Sequence, residues 1–148
     1  MRAVLQTVKE ASVTINGEIV GAIDRGYLLY LGVGPNDTKE EVARLWTKIR
    51  KLRVFMDSEG KTNLDLAAVQ GNVLLVSQFT LYASIKKGNR PSFATAAPPA
   101  WAEELYNEMV TLVKADLPDV QTGRFGADML VSSVNDGPFT LWIDTAEL

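Results

Sequence analysis

Two short and almost entirely apolar runs constrain the fold of this 148-residue chain more than any other feature. Residues 27–33 read YLLYLGV, and residues 73–76 read VLLV. A continuous apolar run of this length, closed by polar or turn-forming residues, is typical of a strand that is buried on both faces. The two runs therefore predict two fully buried strands.

Further strands are expected around these two. Residues 2–8 and 12–15 alternate between apolar and polar side chains, and Asn16-Gly17 then suits a type I′ turn that leads into a hairpin partner. Towards the end of the chain we expect strands near residues 119–124, 128–134 and 138–144. The last two of these are expected to be joined by a turn at Asn135-Asp136-Gly137.

Two segments have the periodicity of helices. The first follows Thr38 and Glu41, which have capping-box spacing, and its apolar residues recur at positions 42, 45, 46, 49 and 52. The second opens at Pro98-Pro99 and has apolar residues at positions 101, 105, 109, 112 and 113. With about eight strands, this pattern predicts one α+β domain over residues 1–148, built as a barrel-like, mostly antiparallel sheet with two covering helices.

The chain contains no histidine and no cysteine, and this excludes much chemistry. Cys–His and Ser–His–Asp catalysis are impossible, as are zinc sites made of nitrogen and sulfur ligands. Residues 57–60 (DSEG) are interpreted as a plain turn and not as a calcium loop. We expect no metal and no cofactor, so that catalysis has to use hydroxyls, amides, carboxylates, lysines, the backbone or the substrate itself.

The net charge of −3 gives no overall attraction to nucleic acid. Two local basic clusters exist, and for either one alone a solvated surface is the expected role. They consist of Arg50, Lys51 and Arg53, and of Lys86, Lys87 and Arg90. No apolar run approaches the roughly 20 residues that cross a bilayer, and the first residues lack the apolar core of a signal peptide. We therefore expect a cytoplasmic protein without a membrane partner.

Three segments could carry chemistry. A buried strand runs directly into Ser77, Gln78, Phe79 and Thr80, and polar groups at a strand end often form the rim of a site. The alternative, that these hydroxyls only bond to neighbouring backbone, is equally open at this point. Gly137-Pro138 by itself predicts only a hairpin turn with a trans bond. The glycine-rich residues 121–129 lack the spacing and the lysine of a phosphate loop.

Taken together, these segments resemble the D-aminoacyl-tRNA deacylases of the bacterial and eukaryotic type. The similarity runs from end to end, through MRAVLQ, EASVTINGE, SQFTLY, RPSF, TGRFGADM and VNDGPFT in this order. The resemblance implies a barrel-like α+β homodimer that hydrolyses the ester bond of D-aminoacyl-tRNA and of glycyl-tRNA mischarged on tRNA-Ala. It also implies tRNA as the partner, and no DNA.

The resemblance assigns roles to particular residues. The reaction pocket is expected at Ser77, Gln78, Phe79 and Thr80, with further substrate contacts from Phe125, Gly126, Ala127 and Met129. Gly137 and Pro138 are expected to have a cis bond and to enter the pocket of the other subunit, where their carbonyl groups exclude L-amino acids. Lys86, Lys87 and Arg90 are expected to contact tRNA phosphates. Because no histidine can activate a hydroxyl, we expect backbone N–H groups near Phe79 and Thr80 to stabilise the oxyanion.

Two positions depart from the family pattern. Thr7 stands where the family usually has an arginine that braces the Gly-Pro segment, and Phe139 stands where valine is commoner. A related branch that removes L-alanine from mischarged tRNA has different residues in both motifs. The intact SQFTL argues against that branch, whereas Thr7 leaves it open. A non-catalytic RNA-binding module is the other alternative, although the acidic balance and the lack of an aromatic stacking platform argue against it.

Overall fold

The main sheet is built around β1 (Arg2–Ile15), in a computed structural model that describes residues 1–148. On one side, β1 pairs antiparallel with β2 (Glu18–Ile23) and β3 (Gly26–Gly32). The predicted turn joins β1 to β2, since Asn16 and Gly17 have φ of 51° and 81°. Both residues thus adopt the positive φ that a type I′ turn needs.

Beyond β3 the sheet becomes parallel. After the small hairpin of β4 (Phe55–Met56) and β5 (Thr62–Leu64), the buried strand β6 (Asn72–Ser77) pairs with β3, and β7 (Gln121–Thr122) pairs with β6. The sheet curls until β7 reaches β2: a Cβ on Gly21 would lie only 2.6 Å from the carbonyl oxygen of Thr122. The structure therefore confirms the barrel-like, mostly antiparallel sheet, and only glycine fits at this seam.

The two predicted helices cover this sheet. Helix α1 (Lys39–Ile49) begins at Thr38, whose backbone N–H donates to Glu41 Oε2 at 3.0 Å. Helix α2 (Pro99–Asp116) begins with proline, as expected. Their apolar faces pack on one core with β3 and β6, and this core contains the fully buried Leu45 and Leu105. Neither helix has the length and apolarity needed to cross a membrane.

The last strand differs from the prediction. Two strands joined by a turn at residues 135–137 are expected from the sequence, but β8 (Leu130–Asp144) is one strand that pairs with β1 on both sides of residues 136–139. Gln6 pairs with Thr140 and Val8 pairs with Asn135, so that Thr7 alone faces the four residues 136–139. The Asn-Asp-Gly-Pro sequence therefore lies in a bulge, in which four residues leave the ladder before pairing resumes.

Candidate functional site

A pocket of about 480 Å³ opens where β3 and β6 end. It lies against the first turns of α2 and against residues 125–131, which precede and begin β8. Eleven of its 16 lining residues are hydrophobic. An apolar cleft of this size with a few polar groups at its rim is the usual form of a small-molecule site.

One wall of the pocket is the segment that follows β6. Ser77, Gln78 and Phe79 line it, as expected from the sequence, whereas Thr80 does not. The chain turns here into a short 3₁₀ helix, Phe79–Tyr82, whose first internal hydrogen bond runs from Leu81 N to Gln78 O. The N–H groups of Phe79 and Thr80 precede that bond and have no partner within the turn.

Thr80 is exposed, and its hydroxyl accepts a hydrogen bond from the Gln78 side-chain amide. No histidine or cysteine exists in the chain, the pocket lining contains no lysine, and its one carboxylate, Asp128, makes no hydrogen bond to this hydroxyl. The contacts of Thr80 therefore fit a positioning role better than that of an activated nucleophile.

The opposite wall comes from the glycine-rich segment. Phe125, Gly126, Ala127 and Met129 all line the pocket, so that two segments almost 50 residues apart in sequence meet there, as we expected. Gly126 has φ of 74°, which lets the chain turn sharply at this wall. The Met129 sulfur lies against Gly123, where a Cβ would be 2.5 Å from it.

Nine of the 16 lining residues are absent from the site predicted from the sequence, and two of them, Tyr106 and Asp128, carry polar groups. Tyr106 of α2 lies at an apolar helical position, and its hydroxyl donates to Leu75 O at 3.0 Å beside the pocket. Burial raises the pKa of Tyr106 to about 12, so it stays neutral at ordinary pH. Asp128 is the only carboxylate in the lining, and its place between Ala127 and Met129 is the signal that could have indicated it.

Gly137 and Pro138 lie outside this pocket, at the exposed tip of the β8 bulge. The bond between them is cis, as the family resemblance implies. Neither residue has a partner on β1. Gly137 has φ of 142°, and a Cβ there would lie 2.7 Å from Phe139 N, so the tip requires glycine.

The base of the bulge is held by side chains. Thr7 is buried, and its hydroxyl donates to the carbonyl oxygen of Asp136 at 2.7 Å. On the other side, Asn135 Oδ1 accepts from Phe139 N at 3.1 Å, and Asn135 Nδ2 donates to Thr140 Oγ1 at the same distance. Thr7 thus holds one side of the base of the bulge.

The basic loop starts immediately after the 3₁₀ turn. Two backbone hydrogen bonds between Ser84 and Ser92, of 2.8 and 2.9 Å, close it, and its tip is exposed. Lys86, Lys87 and Arg90 lie on this tip and form no ion pair. They do not line the pocket, but Phe93, which follows the loop, contacts the pocket residue Phe79.

No aromatic stacking platform is expected from the sequence, but the structure contains an exposed pair of aromatic rings. Phe93 follows the basic loop and packs edge-on against Phe79, with ring centroids 4.9 Å apart. Both rings are exposed to solvent, by 54% for Phe79 and 39% for Phe93. The two residues are 14 positions apart, so sequence spacing alone could not pair them. An exposed ring pair at the pocket edge is a surface on which a base can stack.

Comparison with known proteins gives consistent matches. The family model described as D-Tyr-tRNA(Tyr) deacylase matches residues 4–144. D-aminoacyl-tRNA deacylases of Desulfatibacillum aliphaticivorans and Lacticaseibacillus casei (strain BL23) are 54% and 55% identical to the chain over 145 residues. These matches cover 98% of the chain and 99% and 98% of the two relatives. A solved structure of a c-Myc DNA Unwinding Element Binding Protein is 40% identical, has a TM-score of 0.91, and covers 97% of this chain and 98% of its own.

Proposed function

Because this chain belongs to the D-Tyr-tRNA(Tyr) deacylase family and is a hydrolase of aminoacyl-tRNA ester bonds, we propose that its apolar pocket receives the 3′ end of a D-aminoacyl-tRNA. The observation that carries this proposal is the meeting of residues 77–79 and 125–129 in one cleft. In this scheme the terminal adenosine enters between the two walls. The ester then lies beside Phe79 and Thr80.

Selection for D-amino acids comes from a second copy of the chain. Its Gly137 and Pro138 enter the pocket, and their carbonyl oxygens accept hydrogen bonds from the substrate ammonium group. Backbone placed so close to the α-carbon leaves no room for an L side chain. Glycine has no side chain, so glycyl-tRNA, including glycine mischarged on tRNA-Ala, is also hydrolysed. The exposure of this tip and its absence from its own chain's pocket support the scheme.

The free edge of β8 supports a homodimer. This strand of 15 residues pairs only with β1, so its other edge has unpaired backbone groups. Leu130, Val134 and Trp142 on this strand are exposed by 73%, 46% and 52%. A long apolar strand edge promotes association unless something covers it, and the commonest cover is an identical chain related by twofold symmetry.

The reaction needs no protein nucleophile. A water molecule attacks the ester carbonyl carbon, the carbonyl oxygen becomes an oxyanion, and the ribose oxygen leaves with a proton. The free N–H groups of Phe79 and Thr80 stabilise the oxyanion, and one such donor contributes about 10²–10³ in rate. The neighbouring ribose hydroxyl of the substrate orients or deprotonates the water. Thr80 is a positioning residue in this scheme.

The basic loop binds the tRNA near its 3′ end. Lys86, Lys87 and Arg90 are exposed cations without ion-pair partners, and Phe79 and Phe93 beside them offer rings for base stacking. Contacts with phosphates position an RNA without reading its sequence, which suits an enzyme that acts on many tRNAs. Affinity for tRNA is therefore expected to fall steeply with salt concentration.

Matched D- and L-tyrosyl-tRNA test this function directly. The protein is incubated with each substrate, and the released tyrosine is measured in single-turnover time courses. We expect release from the D-substrate only. Tight binding without release would support the RNA-binding module instead, and preferential hydrolysis of L-alanyl-tRNA would assign the chain to the related branch.

A further inference from the structure

A second concave surface lies beside the C-terminal half of α1. It encloses about 480 Å³, and its polar lining consists of Arg44, Thr47, Lys48, Lys51 and Arg53, the set that we call the basic groove. Leu52 and Leu148 complete the lining, and no acidic side chain contributes to it. All five polar residues are exposed. The groove contains Lys51 and Arg53, two of the three residues of the first basic cluster, and none of that cluster lines the reaction pocket.

The cations of the basic groove exceed what local structure needs. Arg44 is engaged, since it donates to Thr145 O at 2.7 Å, and Arg53 donates to Asn63 O at 2.7 Å. Lys48 and Lys51 form no ion pair. A helix C-terminus favours a nearby cation, which accounts for Lys48. Neither the helix nor a local hydrogen bond accounts for Lys51, which follows the helix in a chain whose net charge is −3.

Direct contacts connect the groove with the reaction pocket. Tyr82 ends the 3₁₀ turn at the pocket, and the Arg2 guanidinium lies 4.4 Å from the centre of its ring. Arg2 Nε in turn contacts Asp144 Oδ2 at 3.1 Å, and the next residue, Thr145, accepts the hydrogen bond from Arg44. A chain of contacts, which includes the Arg2–Asp144 ion pair, therefore joins the end of the 3₁₀ turn to Arg44 in the groove.

The distance between the two sites suits a nucleic acid. Asp37, just before α1, contacts Tyr82, whereas the groove extends from Arg44, inside the 11-residue helix, to Arg53 beyond its end. A helix of that length spans about 16 Å. About five stacked nucleotides, at about 3.4 Å each, cover the same distance.

We propose that the basic groove binds backbone phosphates of the tRNA body while the aminoacylated 3′ end occupies the reaction pocket, an inference that rests on the proposed function. The ligand class follows from the side chains, because exposed lysines that form no ion pair favour phosphates, and double-stranded RNA is recognised largely through its backbone and shape. The groove and the loop at residues 86–90 then hold two parts of the same RNA.

The test compares two substrates that share the reacting ester. One is full-length D-tyrosyl-tRNA, and the other is the trinucleotide CCA carrying the same D-tyrosyl ester, which is too short to reach the groove. The variant is Lys48→Gln with Lys51→Gln. The control, Lys61→Gln with Lys114→Gln, removes the same charge from exposed positions outside the groove.

With full-length tRNA, we expect the groove variant to lose about tenfold or more in kcat/KM at about 0.1 M salt, because each phosphate contact contributes about 0.9 to the logarithmic salt slope. The salt slope itself should fall by nearly two units, about 0.9 for each lysine. Hydrolysis of the D-tyrosyl trinucleotide should stay unchanged, as should both activities of the control.

The outcomes separate the two proposals. If the groove variant hydrolyses full-length tRNA with the rate and salt dependence of the control, the groove does not bind tRNA, whereas the deacylase function stands. An equal loss on both substrates would show an effect on the pocket or the fold, and would also overturn the inference. If the unmodified protein hydrolyses neither D-substrate, the proposed function itself fails.

Discussion

Replacing Thr7 with valine removes one hydrogen bond and leaves the shape of a buried side chain almost unchanged. The lost bond joins the Thr7 hydroxyl to the Asp136 carbonyl oxygen at 2.7 Å, and Thr7 is only 2% exposed. A buried acceptor that loses its donor costs about 1–3 kcal/mol. Because Asp136 is only partly buried, we expect about 1.5 kcal/mol.

Two measurements follow from this value. For a chain of this length, about 1.5 kcal/mol lowers the melting temperature by about 3–6 °C. The second measurement is chiral selectivity. Since Thr7 holds one side of the base of residues 136–139, the variant should hydrolyse L-tyrosyl-tRNA faster relative to D-tyrosyl-tRNA than the unmodified protein does, in single-turnover assays at the same protein concentration.

Thr14→Val is the control, since Thr14 is the same residue type on the same strand and is partly buried. The side-chain hydrogen bonds of β1 come from Arg2, Gln6 and Thr7, and Thr14 makes none. If the two valine variants melt at the same temperature and have the same ratio of D to L hydrolysis, the Thr7 hydroxyl does not brace the segment and the reasoning is refuted.

Three further changes test other parts of the scheme. Thr80→Ala should keep single-turnover hydrolysis within about tenfold, the effect of one hydrogen bond, and a loss of four orders of magnitude with intact binding would identify Thr80 as a nucleophile. Val134→Lys should convert a dimer into monomers, as measured by light scattering, and should abolish the preference for D- over L-substrates. A dimer that persists would place the interface elsewhere. Burial raises the pKa of Tyr106 from 10.0 to about 12, so its stabilising effect is present below pH 10 and is lost between pH 10 and about 12. Between pH 10 and about 12, the free energy of unfolding measured by chemical denaturation should therefore fall less for Tyr106→Phe than for the unmodified protein. An equal fall in both proteins would show that Tyr106 does not cause this pH dependence.

The elements that the sequence predicts well are those with a local cause. The Asn16-Gly17 turn depends on two positive φ values, and both apolar runs form buried strands because their composition leaves no polar face. The bulge has no local cause of this kind. Asn-Asp-Gly-Pro signals a change of direction, but only the pairing of Gln6 with Thr140 and of Val8 with Asn135 decides that the strand continues.

The residues of the site likewise divide into those that local sequence indicates and those that it does not. Polar residues at the end of β6 indicate a rim, and Ser77 and Gln78 do line the pocket, but their position alone leaves a role in bonding neighbouring backbone equally open. That residues 125–129 form the opposite wall follows from the curl of the sheet, and before the structure only the family resemblance suggested it. Tyr106 was missed because a phenol at an apolar helical position has the pattern of a core residue.

The bulge of β8 has a consequence for how such a protein can change. A loop between two elements must keep its span. Residues 136–139, in contrast, lie within one strand, and pairing with β1 continues on both sides of them, at Asn135 and at Thr140. A single residue in their place would match Thr7 and leave a regular strand. The segment can therefore change in length between Asn135 and Thr140 without a change in the pairing of the strands on either side of it.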